Sequence, residues 1–129
     1  MRVADDVVLV VDDNPDSRKR MKSILENSLG ISTVLASTGK EALQRVQDLR
    51  PRLVLLDVRL PKVDGLEVIR RLKMNLSTRR IPVIAIGGSE SRNLLRRAMT
   101  AGYDDVLSPP FEADELERKV RDFLRVVHR

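Results

Sequence analysis

Residues 53–73 read LVLLDVRLPKVDGLEVIRRLK. Four consecutive apolar residues, 53–56, run up to the carboxylate of Asp57. Pro61 then interrupts the chain, Asp64 and Gly65 mark a turn and a helix start, and Leu66, Ile69 and Leu72 recur at helical spacing. A continuous apolar run, unlike an alternating one, suits a strand covered on both faces of a parallel sheet. The segment is read as a buried strand, a loop carrying an acid, and an amphipathic helix.

The same unit repeats on either side. Further strands are predicted at 7–11, 33–36, 83–86 and 105–107. Apolar stripes at helical spacing lie between and after them, for example Met21, Ile24 and Leu25, then Ala42, Val46 and Leu49, then Leu95, Ala98 and Met99, then Leu116, Val120 and Leu124. Asn14 before Pro15 reads as an N-cap with proline at the first helical position, Thr38 as the cap of the second helix, Ser89 as the cap of the fourth, and Gly30 and Gly102 as stops. Strict alternation with short connections implies right-handed crossovers and a doubly wound α/β sheet of about five strands. Residues 1–129 are read as one domain.

Composition narrows the function classes. There is no cysteine, which excludes disulfides and thiolate zinc sites and agrees with a reducing cytoplasm. The short apolar run near the start is followed by two carboxylates and fits neither a leader nor a membrane span, so a cytoplasmic protein without membrane attachment is expected. The net charge of +5 invites a nucleic-acid reading. Its cations are scattered along helices, however, and two Phe, one Tyr and no Trp leave no stacking platform. Nucleic acid is not expected to bind this domain alone; a DNA role would need an effector domain outside this chain.

In a doubly wound sheet, ligands sit at the carboxyl ends of the strands. Asp12 and Asp13 follow the first predicted strand, and Asp57 ends the third. Adjacent parallel strands lie about 5 Å apart, so these acids would crowd one another unless a cation sits among them. A hard divalent ion such as Mg2+ answers that need, taking carboxylate oxygens together with water or phosphate.

These residues carry a resemblance to the receiver domains of bacterial two-component response regulators. It rests on VVDDNPDSR (10–18), LVLLDVRLPKVDGLEVIRRLK (53–73), IPVIAI (81–86) and AGYDDVLSPPF (101–111). The resemblance implies a flavodoxin-like (βα)5 fold with strand order 2-1-3-4-5, two helices on one face and three on the other. It implies that Asp57 accepts a phosphoryl group from a histidine kinase or phosphotransfer partner. Asp13 would bind Mg2+ directly, Asp12 largely through water, and the backbone carbonyl of Arg59 would complete the protein ligands. No turnover of a separate substrate is expected. A homodimer is compatible with this reading, and the output partner is unassigned.

Three positions depart from the family pattern. Gly87 stands where a Thr or Ser is usual, Val106 where an aromatic residue is usual, and Pro109 where a Lys is usual. Tyr103 lies three residues too early to be the aromatic counterpart. Arg59 is the expected compensating cation, and the bond joining Pro109 to Pro110 is expected to be cis. The losses leave a second reading, a phosphorylation-independent pseudo-receiver acting through protein–protein contacts. A haloacid-dehalogenase-like phosphatase is disfavoured, since Arg59 occupies the position of its second Asp, and no glycine-rich phosphate loop follows the first strand.

Overall fold

The computed structural model describes residues 7–60 and 65–128. Its strands are β1 (Val7–Val11), β2 (Ser32–Ala36), β3 (Leu53–Asp57), β4 (Val83–Ile86) and β5 (Asp105–Leu107). They alternate with α1 (Pro15–Leu29), α2 (Gly39–Leu49), α3 (Gly65–Met74), α4 (Arg92–Ala101) and α5 (Ala113–His128). All strand pairs are parallel, in the order β2-β1-β3-β4-β5. The expected order and strand positions are met to within a residue.

The apolar runs explain why β1 and β3 occupy the middle. Leu9, Val11, Val54 and Leu56 face the side packed by α2, α3 and α4, while Val8, Val10, Leu53 and Leu55 face α1 and α5. Each of these side chains is buried, contributing roughly 1.5–3 kcal/mol relative to exposure. β2, at the sheet edge, buries only Ala36. Three helices thus cover one face and two the other, as expected.

The capping signals behave as read. The Asn14 side chain accepts from the amides of Asp16 and Ser17, and Thr38 accepts from the amide of Glu41. Gly30 and Gly102 close α1 and α4 in the left-handed region, at φ 65° and 112°. The Pro109–Pro110 bond is cis. Ser89 is the correction: it opens a 3-10 turn (Ser89–Ser91), and Ser91 takes the N-cap position of α4 without making a side-chain cap bond. The 3-10 turn takes up residues 89–91, so the helix begins later than expected. Asp64, expected in the turn before α3, lies outside the described residues.

One glycine sets how close α3 comes to the strand ends. A Cβ on Gly65 would lie 2.5 Å from Val58 Cα and 2.9 Å from the Asp57 carbonyl oxygen. Backbone cannot yield as a side-chain tip can, so only glycine lets α3 start against the residues at the end of β3.

Candidate functional site

The site grows out of strand register. Val11 on β1 pairs with Leu56 on β3, so the residues that follow, Asp12 and Asp57, emerge side by side. The Asp12 amide donates to the carbonyl of Ala36 at 3.1 Å, extending the β1–β2 pairing by one residue and fixing where its carboxylate leaves the sheet. On the other side Asp57 pairs with Ile86, and the Val58 amide donates to the Ile86 carbonyl at 3.1 Å. Arg18 of α1 donates to the Asp12 carbonyl at 2.8 Å, tying the helix to the strand end.

Carboxylate oxygens of Asp12, Asp13 and Asp57 lie within 4.8 Å of one another. Asp12 is only 5 % exposed. Burial pushes its carboxyl up from the ordinary 3.8 to about 6; the Asn14 amide, donating to Oδ1 at 2.9 Å, opposes that rise, and the charges of Asp57 and Asp13 add to it. Burial also raises Asp57. The Arg59 amide, donating to Asp57 Oδ1 at 2.8 Å, pulls it back; Asp13 raises it, and the Arg59 charge and a hydrogen bond with Asp12 lower it. An all-oxygen, anionic cluster that resists its own ionisation fits a hard divalent cation.

The three acids form one end of a pocket. A second wall comprises Gly87, Gly88, Glu90 and Ser91, which follow β4, and a rim comprises Pro109, Pro110 and Phe111, which follow β5. Arg59 lines this pocket too, but its guanidinium bonds Glu90 Oε2 at 3.0 Å, with both side chains more than half exposed. Its charge is felt at Asp57 while its hydrogen bond is spent on Glu90. Pro109 lines the rim without any donor, and Val106 lies half-buried on β5 beside Ala85. Tyr103 packs against the α2–α4 side of the core, away from these residues.

Sequence reasoning missed two residues here. Arg20 is one of the cations scattered along the predicted helices, yet it lines the pocket with Phe111. It donates to the Phe111 carbonyl at 3.0 Å, and its guanidinium carbon stands 5.0 Å from the Phe111 ring centroid. The signal was present: Ser17, Arg20 and Met21 share one helical face, the one α1 turns toward the strand ends. Ser91 is the other, a buried serine on the second wall, which sequence gave no reason to prefer over Ser89.

Known proteins resemble this chain in sequence and fold. The sequence profile of the response regulator receiver domain matches residues 8–121. The chain is 36 % identical over 118 residues to the response regulator MprA of Mycolicibacterium vanbaalenii, covering 92 % of this chain and 50 % of that protein. It spans about half the length of that relative. Among solved structures, a signal receiver domain of a histidine kinase from Syntrophus aciditrophicus superimposes with TM-score 0.89 at 31 % identity, covering 96 % of this chain and 93 % of that one. The receiver domain of a sensor histidine kinase from Pseudomonas aeruginosa, solved with a magnesium ion coordinated in its active-site cleft, gives TM-score 0.85 at 29 % identity, covering 93 % and 98 %.

Proposed function

The chain belongs to the response regulator receiver domain family and is a receiver module of two-component signal transduction; on that premise we propose that its own Asp57 takes the phosphoryl group. One observation carries the reading. Three carboxylates from the ends of two adjacent parallel strands converge within 4.8 Å, and nothing in the fold alone needs them there. Cluster acids held together cost stability.

The roles follow from position. An oxygen of Asp57 attacks the phosphorus of a phosphohistidine on a kinase or phosphotransfer protein; the P–N bond breaks, and the imidazole leaves with its electron pair and takes a proton. Asp12, Asp13, Asp57 and the Arg59 carbonyl would hold Mg2+, which neutralises the phosphoryl oxygens as they approach the acids. The Arg59 amide on Asp57 Oδ1 fixes the rotamer of the attacking carboxylate and leaves its other oxygen for attack. The chain is then both acceptor and catalyst of one transfer, without turnover of a separate substrate. No helix among the described residues is long and apolar enough to cross a membrane. The output is a partner or an effector domain that the chain itself does not identify.

The test is incubation with Mg2+ and acetyl phosphate, followed by intact mass measurement. Wild type should gain one phosphoryl group, and Asp57→Asn should gain none. Equal behaviour of the two proteins would sink the assignment. Gly87, Val106 and Pro109 favour the second reading, a receiver that signals by contact without phosphate, and wild type inert to both acetyl phosphate and its kinase would select it.

A further inference from the structure

Ser91 holds a polar group that the rest of the fold leaves unused. The residue is 1 % exposed, and its hydroxyl has no hydrogen-bond partner among the described residues. Buried hydroxyls are nearly always paired, so an exception calls for a reason. The ordinary outlet was at hand: serine at an N-cap position usually accepts from the first turn of its helix. Ser91 occupies that position on α4 and makes no such bond.

Where the hydroxyl sits suggests its use. The 3-10 turn, closed by the Ser91 amide on the Gly88 carbonyl at 2.9 Å, folds residue 91 back onto β4. A Cβ on Gly87 would fall 3.1 Å from Val58 Cγ2, 3.2 Å from Ser91 Cβ and 3.3 Å from Leu95 Cδ2, so the Ser91 side chain is one of three that close in on the space a larger residue would need. Gly87 directly follows Ile86, the cross-strand partner of Asp57. Ser91 is also among the residues that line the pocket of the acids. A donor with no acceptor in the protein, in a pocket whose occupant is rich in acceptors, is explained if the occupant supplies the bond.

We propose that the Ser91 hydroxyl donates a hydrogen bond to a phosphoryl oxygen on Asp57, Gly87 being the residue that makes room for it. This rests on Asp57 being the phosphoryl acceptor. Ser91 holds the phosphoryl group as it arrives and touches the reacting group directly, so its removal should slow the transfer itself.

Wild type, Ser91→Ala and Asp57→Asn are compared for phosphorylation rate with acetyl phosphate and Mg2+, by intact mass, and for thermal unfolding without either. Losing a hydrogen bond to a charged group should slow Ser91→Ala about tenfold. Its unliganded melting temperature should hold or rise, because the deleted group was buried and unpaired. A structural role predicts the reverse, a fall in melting temperature. Ser91→Ala phosphorylated at the wild-type rate, or slowed only together with a loss of thermal stability, overturns the Ser91 assignment alone. Wild type that gains no mass overturns it and the phosphoacceptor reading together.

Discussion

The wall of the pocket built by β1 and β3 and the wall built by β4, β5 and the 3-10 turn face the same occupant but are made by different means. Asp12 and Asp57 project from buried strands whose register is fixed by hydrogen bonds on both sides. Gly87, Ser91, Glu90 and Pro109 stand on loops, and their positions depend on which side chains are absent. The first wall concentrates negative charge at a cost in stability. The second supplies small groups, an unpaired hydroxyl and Glu90, the acid that engages Arg59 of the first wall. Charge placement is thus written into the sheet, and the second wall of the pocket into its loops.

The largest test of this contrast lies in pH. The folded pKa of Asp12 is raised from 3.8 to about 6, so the carboxyl's contribution is fully present below about 4 and is lost as pH rises to about 6. A rise of that size corresponds to ~3 kcal/mol. Asp12→Asn keeps an acceptor for the Asn14 amide and cannot ionise. Its denaturant stability should therefore exceed that of wild type by up to ~3 kcal/mol at pH 7 and match it at pH 4. Millimolar Mg2+ should narrow the gap at pH 7 by stabilising wild type more. Glu26, Glu41 and Glu67, whose pKa values are lowered by their partners, work the other way in both proteins and drop out of the difference. A gap that stays constant from pH 4 to 7 would show that the acids do not strain the fold.

A second test compares two glycines, Gly65 packed against the end of β3 and Gly88 in the second wall. A Cβ on Gly65 meets the backbone of Asp57 and Val58, whereas a Cβ on Gly88 meets only the carboxylate end of Glu90, at 2.9 Å. Gly65→Ala must push α3 away from the acceptor's strand end and should destabilise by ~1–3 kcal/mol. Gly88→Ala should stay within about 0.5 kcal/mol, since a flexible exposed side chain can move aside. Urea unfolding of the two variants decides it; similar losses would mean that the walls are equally rigid.

That asymmetry also explains what could be read from the residues alone. The strands were legible because runs such as 53–56 need cover on both faces, and the acids were legible as strand-end residues, while the adjacency of the first and third strands that joins them came from the family resemblance. Asn14, Thr38, Gly30 and Gly102 have local capping chemistry, and they behaved as read. The second wall was not legible. Whether Ser89 or Ser91 turns inward depends on the space beside Gly87, and the pairing of Arg59 with Glu90 spans 31 residues between a β3 loop and the 3-10 turn. Arg20 was hidden for a related reason: a cation on an amphipathic helix looks solvated until the loop it bonds, at Phe111, is in place.

The smallest expected effect separates Arg59 from Arg20. Arg59 is 54 % exposed and bonded to a Glu90 that is 60 % exposed, so the pair should add less than ~1 kcal/mol to stability. Its charge still reaches Asp57, and an exposed charge near an anionic donor acts mainly through a field that salt screens. Arg59→Ala should therefore slow phosphorylation by acetyl phosphate only about two- to threefold at low ionic strength and not at all near 1 M salt. Arg20, held against the Phe111 ring and carbonyl at the rim where Pro109 offers no donor, has a fixed geometry. Arg20→Ala should slow the reaction by loosening that rim, and the slowing should persist at high salt. Glu90→Gln sharpens the comparison, because it frees the Arg59 guanidinium without removing it and should raise the low-salt rate. If Arg59→Ala is as slow at 1 M salt as at low salt, Arg59 makes a direct contact with the phosphoryl group; if Glu90→Gln leaves the rate unchanged, the ion pair is not what restrains it.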